Sequence, residues 1–423
     1  MAKSKEKKAL KRGKATFNLI GKTKVTDKTF NLDNTYDSGW TDNSMYIGID
    51  CGNGNIVYAE MRSGFFPEKD NTIRAYDKNE KDESGMSKSV EIAWEDRLDE
   101  SLLDNISDSS FLTVGVEKDV NGKTLYKKFL TAYDAIEYLN EHLENDVVVN
   151  VKGNIKYSEY EENVSVKKEI TSIVLSKIEE QFEKIQKEEK KKAEEHPEED
   201  IKFTELEDLF KATFSQTILV DSKSIGKKDE EKGTMALDAY VIDYVGKPKV
   251  DGKKIEVKKS VVFPIAFEIA INEENPEITA KMLQKFFKPK KKNTLNEIMV
   301  TGNLIEGASI VNITEDDIPD DIKELIAMGI YSEEEVEKKS AVGNNNREKR
   351  MVVIKPDIKF VGKDDERKLT VAFEESKYED SDLLFYEQAL EEAGYKKTDE
   401  EDNDVESEEI SEDDDLLNML QNM

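Results

Sequence analysis

The sequence predicts a mainly β chain with α insertions: two tandem OB-fold-like β-barrels, a charged helical connector and a disordered tail. Three observations predict it. Short β-branched and aromatic runs, separated by glycine or polar turns, recur in two blocks. A Lys/Glu-rich stretch at helical spacing divides the blocks. Each block repeats one local order: strands, a short helix, then a strand carrying Val-x-Gly-Asn-aliphatic.

Composition sets the outer limits. The 423 residues suggest about two or three domains at roughly 150 residues each. Against 93 acids there are 63 Lys/Arg, a net charge of −30. Hydrophobic and charged residues each make up 37%, whereas an ordinary globular chain has about 45–50% and about 25%. Such a chain is small domains with charged helices and tails, not one continuous core. No run of about 18 apolar residues occurs, and the Lys-rich start has no apolar signal core, so a cytoplasmic protein is expected. Cys51 alone excludes an intramolecular disulfide framework. Two histidines, His142 and His196, with that cysteine cannot build a standard structural zinc site and supply little for His-centred catalysis. No enzyme activity, cofactor or metal is expected.

The elements follow in order. Residues 1–14 hold seven Lys/Arg and one Glu without apolar periodicity, and read as a mobile basic arm. The first OB-like domain spans 15–176. Strands are expected at 17–25, at 46–49 and 56–61 around a Gly-Asn-Gly turn, at 90–94 and at 111–114. Ala132, Ala135, Ile136, Leu139 and Leu143 share a helical face, and β-branched runs at 147–157 and 169–175 complete the domain. Residues 177–204 form the connector: 177–200 hold ten acids and six lysines, and Pro197 ends the helix. The second OB-like domain spans 205–375. Its strands are expected at 214–220, 235–245, 257–271, 298–311, 351–354 and 358–361, with a helix at 278–287 and a helical insertion at 316–341. Pro264 within the third strand argues for an edge or a bulge. A short helix lies in 376–398. Residues 399–423 hold twelve acids and no Lys or Arg, and cannot offset ordering entropy by burial.

The repeat is Val151-Lys-Gly-Asn-Ile155 and Val300-Thr-Gly-Asn-Leu304. Ala132 precedes Gly153 by 21 residues and Ala280 precedes Gly302 by 22. Three strands, a helix and two strands is the order of the five-stranded OB barrel, where glycine permits sharp coiling. Another small β-barrel or an α+β sandwich shares these features.

Single-strand binding needs aromatics to stack on bases and cations to meet phosphates. In the first block Trp40, Tyr58, Phe66 and Trp94 are candidate stacking residues. Tyr157 and Tyr160 join them, on an expected loop between the last two strands. Arg62, Lys127, Lys128, Lys152, Lys156, Lys167 and Lys168 are the candidate cations. In the second block Lys258, Lys259, Lys349 and Arg350 occupy basic patches. Because the whole chain is acidic, binding would use segregated patches, and the acidic tail could compete for them. A different reading comes from 46–55, which resembles the first phosphate hairpin of actin-like ATPases. A second such hairpin is lacking, as are Walker A and G-x-G-x-x-G motifs.

Three segments resemble the replication-type single-stranded DNA-binding proteins of large tailed phages infecting Gram-positive bacteria. They are Gly48-Ile-Asp-Cys-Gly-Asn-Gly-Asn55 with Val57-Tyr-Ala-Glu-Met61, Trp94-Glu-Asp-Arg-Leu-Asp-Glu100, and Lys128-Phe-Leu-Thr-Ala-Tyr-Asp-Ala-Ile136 with Val151-Lys-Gly-Asn154. The resemblance implies tandem OB barrels that coat and protect single-stranded DNA during replication and recombination. It also implies an acidic tail that recruits replication and recombination proteins. The tip, Asp413, Asp414, Asp415, Leu416, Leu417, Met419 and Leu420, would be the partner-binding element. It departs from the Pro-Phe ending of bacterial single-strand binders. The alternatives are a phage structural or assembly protein built on β-barrel interaction domains, and an actin-like ATPase.

Overall fold

A computed structural model describes residues 7–82, 85, 87–160, 163–196, 203–272, 274–308, 322–323, 326, 328, 347–362 and 367–395. Its first half contains β1 (Ala15–Lys24), β2 (Phe30–Thr35), β3 (Thr41–Asp50), β4 (Ile56–Phe65), β5 (Thr72–Lys81) and β6 (Ser87–Ala93). A short helical turn α1 (Glu100–Leu103), β7 (Leu112–Lys118), β8 (Thr124–Phe129), helix α2 (Ala132–His142), β9 (Val148–Tyr160) and β10 (Asn163–Leu175) complete it. Along β1 burial alternates residue by residue, since successive side chains point to opposite faces of a strand; Phe17 and Leu19 face inward.

Five of these strands pair in a cycle. β1 lies antiparallel to β3, with Lys22 opposite Asp50. β3 is antiparallel to β4, with Asp50 opposite Ile56 and Gly48 opposite Tyr58. β4 runs parallel to β10, with Glu60 opposite Glu169. β10 is antiparallel to β9, with Glu169 opposite Asn154. β9 returns to β1, with Gly153 opposite Phe17. Helix α2 packs Ala135, Ile136 and Leu139 into the core. Thr131 caps it by accepting the Asp134 N–H.

After helix α3 (Ile178–Glu195) the second half repeats the cycle. Its elements are β11 (Lys211–Val220), β12 (Ile225–Asp229), β13 (Thr234–Val245), the two-residue strands β14 (Lys249–Val250) and β15 (Lys253–Lys254), and β16 (Lys259–Ala270). Helix α4 (Pro276–Met282), β17 (Thr294–Ala308), β18 (Arg347–Pro356), β19 (Ile358–Val361), β20 (Lys368–Val371), β21 (Phe373–Glu379) and helix α5 (Tyr386–Glu392) follow. Leu219 faces Tyr240 between β11 and β13, and Tyr240 faces Pro264 between β13 and β16. β16 runs parallel to β18 with Glu268 opposite Val352, which faces Asn303 of β17. Gly302 of β17 faces Phe214 of β11. Every pairing keeps its sense and its register. Phe17 therefore corresponds to Phe214, Gly153 to Gly302, Glu60 to Glu268 and Asp50 to Tyr240.

The repeated glycine has a more specific reason than coiling. A Cβ on Gly153 would lie 2.6 Å from the Phe17 ring and 1.9 Å from the Glu169 carbonyl oxygen. On Gly302 it would lie 2.7 Å from the Phe214 ring and 2.1 Å from the Val352 carbonyl oxygen. In both halves the phenylalanine covers the glycine backbone.

The halves join through β1 and β11, which pair antiparallel with Phe17 directly opposite Phe214. At this one position corresponding residues face each other, while Thr16 faces Ser215 and Asn18 faces Thr213, so a pseudo-two-fold axis passes between Phe17 and Phe214. The result is a run of six antiparallel strands, β10-β9-β1-β11-β17-β18, within one 15-stranded sheet. One hydrophobic core runs through both halves, from Leu19, Ile47 and Ile136 to Phe214, Phe263 and Ile298.

Two expectations change here. The stretch around 157–168 is not a loop: β9 and β10 continue as a ribbon that braces the other half. Tyr157 is 6% exposed. Its N–H donates to Asp243 Oδ2 at 3.2 Å and its hydroxyl to Gln216 Oε1 at 2.9 Å. The β17–β18 ribbon reciprocates: Asn55 Nδ2 donates to the Leu304 carbonyl at 2.9 Å and the Tyr58 N–H to Glu306 Oε2 at 3.1 Å. The second change concerns the basic arm, which is held along residues 7–14. The Lys8 N–H donates to Asp382 Oδ1 at 2.9 Å, Arg12 pairs with Asp243 at 2.7 Å, and Leu10 packs beside Leu219, Ile242 and Val262. Pro264 sits in β16 where only β13 pairs with it, so its missing N–H costs no ladder bond. The insertion expected at 316–341, apart from residues 322–323, 326 and 328, and the tail at 399–423 lie outside the described residues.

Candidate nucleic-acid interface

The outward face of the β3–β4 pair carries a line of rings and cations. Tyr46 and Tyr58 stack with centroids 5.1 Å apart and planes 8° apart. Gly48 lies beneath: a Cβ there would come within 3.1 Å of the Tyr58 ring. Further along β4, Arg62 Nε donates to Asp42 Oδ2 at 2.5 Å and Nη2 donates to the Tyr36 hydroxyl at 2.9 Å. Asp42 is fully buried, so this charge-assisted bond fixes the guanidinium at the surface. At the end of the strand pair Trp40 meets Phe66 edge-on at 4.9 Å, and the Lys69 ammonium lies 3.7 Å from the Phe66 centroid.

A second aromatic group begins at Phe65, next to Phe66 in the chain. Trp94 is 8% exposed and stacks on Phe65 at 4.8 Å. Tyr133 meets both rings edge-on at 5.6 and 5.7 Å. The Arg97 guanidinium lies 4.6 Å from the Trp94 ring, and its Nε donates to both Asp134 oxygens at 3.1 Å. Phe65, Trp94 and Tyr133 thus form a packed aromatic group whose members hold one another's rotamers.

Among the described residues the second half has no such line. By register, Tyr46 corresponds to Ala236 and Tyr58 to Ala266. Asp221, Lys223, Asp238 and Tyr240 line a shallow groove of about 390 Å³ around the Ala266 position. Arg350 is held by Glu268 through bonds of 2.8 and 2.7 Å. Burial raises the Glu268 carboxyl, but hydrogen bonds from Arg350 and Thr234 and the charges of Arg350 and Lys232 more than offset it, leaving its pKa lowered.

The remaining candidates are scattered. Lys168 is 9% exposed and pairs with Glu306 at 2.5 Å, a brace between the halves and not a surface cation. Tyr157 and Trp94 are likewise buried. Tyr160 ends β9 opposite Asn163, not in a loop. Lys127 lies on β8, 4.0 Å from the Tyr138 ring, and Lys128 pairs with Asp108 at 2.7 Å. Lys152 is exposed and Lys156 half-buried on the outer face of β9, and Lys167 is exposed on β10. Lys258 pairs with Glu256, and Lys259 with Glu392 at 2.5 Å. Lys349 lies on β18 opposite Glu306. The tail residues from Asp413 to Leu420 fall outside the described residues. Sequence reasoning missed Tyr36, Lys69, Arg97 and Tyr133. Their signal was adjacency: Tyr36 and Trp40 flank one turn, and Lys69 follows the Phe65-Phe66 pair.

The glycine-rich segment at 48–55 is a turn used for packing. Asp50 Oδ1 accepts the Gly52 N–H at 3.1 Å, and Asn55 bonds to β17 through both its amide groups. Beside it, burial together with the charges of Asp50 and Glu306 pushes the Cys51 thiol up to about 12. Among the described residues no group of three or more His, Cys, Asp or Glu is placed to hold a metal ion, and no helix is long and apolar enough to cross a membrane.

Fold and surface together define a mainly β chain, built on a repeated strand cycle, with an aromatic and cationic stripe on the first half. It belongs to the YorF family, whose model matches residues 75–345, more than half of the chain. Two solved structures are similar to it, the wild-type single-stranded DNA binding protein from Thermus aquaticus and a deletion mutant of that protein. Each is 11% identical and covers 70% of this chain; TM-scores are 0.25 and 0.26, over 87% and 88% of those chains. No curated protein matches the chain.

Proposed function

We propose that the chain is a non-enzymatic single-stranded DNA-binding protein that engages the strand on the first half, along β3 and β4. The observation that carries this reading is the line Tyr58, Tyr46, Arg62, Trp40, Phe66 and Lys69. It combines π-faces, on which any base can stack, with cations that meet phosphates. Strand cycle and helix position support two OB-like barrels at 15–176 and 205–375, and in that fold the corresponding strand face is the usual oligonucleotide surface. Lys156 and Lys167 add positive charge on neighbouring strands. The resemblance in sequence supports a phage protein acting in replication and recombination in the host cytoplasm. Composition supports an acidic tail at 399–423 whose Leu/Met tip recruits partners.

Titration with fluorescent oligo-dT and with a duplex of equal length, at 50 and 200 mM salt, tests the reading. The expected outcome is tight oligo-dT binding that weakens with salt, and much weaker duplex binding. Absence of salt-sensitive oligo-dT binding would overturn it and favour a structural role.

A further inference from the structure

The run of six strands has a second feature on its outer face. Where β9, β1, β11 and β17 meet, a groove of about 390 Å³ straddles the pseudo-two-fold axis. Its polar lining is Lys14, Thr16, Asn18 and Thr171 with Lys152 and Asn154 from one half, and Thr213, Ser215 and Thr301 from the other. In a chain with 93 acids and a net charge of −30, none of the lining residues is acidic. Lys14 and Lys152 are exposed and make no ion pair among the described residues. Glu169, exposed on β10 opposite Asn154, is the neighbouring carboxylate, and the Lys156 charge opposes it. The Asn18 side-chain oxygen is enclosed without a hydrogen-bond partner.

Thr171 Oγ1 donates to the Lys152 carbonyl at 3.3 Å, Thr213 Oγ1 to the Asn18 carbonyl at 3.2 Å, and Ser215 and Thr301 bond each other at 3.3 Å. The two ammonium groups, with the Thr16 hydroxyl and the Asn154 amide, around an acid-free groove suit an anion rich in oxygen acceptors. No ring lines it except Phe17 and Phe214, which are buried in the core. We propose that this seam groove is a second contact for single-stranded DNA, holding the phosphodiester backbone without stacking, on the sheet face formed by β1 and β11. The proposal rests on the single-strand reading above. It assigns the join between the halves a binding role of its own: the two repeats build one phosphate site that neither contains alone.

The test is Lys14→Gln with Lys152→Gln, compared with wild type for oligo-dT affinity across 0.05–1 M salt. Both side chains are exposed, so a folded protein is expected, checked by thermal melting. Losing two phosphate contacts should flatten the slope of log K against log salt by about 1.4, at about 0.7 per contact for single strands. That corresponds to a loss of about 25-fold at 0.1 M salt relative to 1 M salt. Competition with inorganic phosphate separates the two sources of the anion. Oligo-dT held at the seam while millimolar phosphate leaves binding unchanged supports a polymer site, and displacement by phosphate at those levels overturns it in favour of a free-anion site. An unchanged slope in the double variant, with wild type still binding oligo-dT, overturns the seam and leaves the β3–β4 reading standing. If wild type does not bind oligo-dT, the single-strand reading fails and the seam site with it.

Discussion

Tyr58→Ala tests the stacking surface most directly. The ring is half-buried, lies parallel to Tyr46 at 5.1 Å and sits above Gly48, so its removal uncovers backbone without opening the core. The paired rings contribute about 0.5–1.5 kcal/mol beyond their buried area, a tolerable loss for a surface pair. A stacked base is worth about 1–3 kcal/mol, so affinity for oligo-dT should fall by about 5- to 150-fold. Tyr58→Phe keeps the π-face and should bind almost as wild type. The assay is fluorescence anisotropy of labelled oligo-dT at 0.1 M salt, with thermal melting to confirm folding. Ala266→Tyr, the equivalent change in the second half, serves as comparison: it adds a ring where Arg62 has no counterpart and should give little. Two results would refute the reasoning. One is a folded Tyr58→Ala protein that binds as wild type; the other is a Phe variant as weak as the Ala variant.

Three further outcomes follow from the geometry. Gly153→Ala and Gly302→Ala should each destabilise by at least about 1–3 kcal/mol, because the added carbon meets a carbonyl and a phenylalanine ring at both sites. Urea unfolding should show two similar losses, and unequal losses would deny that the sites are equivalent. Lys168→Met should cost about 3–5 kcal/mol by leaving Glu306 buried and unpaired, while Lys168→Met with Glu306→Leu should recover most of it; recovery absent from a denaturant melt would show that the brace acts through other bonds. Glu268 has a lowered folded pKa, so its pairing with Arg350 stabilises fully above the unfolded value of about 4.3 and fades as pH falls through the lower folded value. Stability of wild type should therefore drop faster than that of Glu268→Gln below about pH 4.3, and parallel pH profiles would contradict the assignment.

Much of the scaffold was written locally. Alternating burial in β1, the spaced apolar positions of α2 and the end of α3 before Pro197 are set by neighbours in the chain, because strand and helix periods decide which side chains share a face. The paired Val-x-Gly-Asn motifs announced a duplication for the same reason: each glycine answers a steric demand one strand away. The sequence also pointed to Trp40, Tyr58, Arg62 and Phe66, since rings and cations clustered beside β-branched runs are visible without coordinates. What only the tertiary structure decided is which of these groups reach the surface. Tyr157, Trp94 and Lys168 carry the right chemistry, yet each is buried by residues distant in the chain: Gln216 and Asp243, Tyr133, and Glu306. The difference between the halves, Tyr46 and Tyr58 against Ala236 and Ala266, appears only once strand register aligns positions whose spacings in sequence differ. The seam groove has no local signature either. Its lining comes from strands up to 287 residues apart, Lys14 to Thr301, and the antiparallel pairing of β1 with β11 brings them together. Burial and register depend on contacts between distant segments, which the order of residues along one strand does not encode.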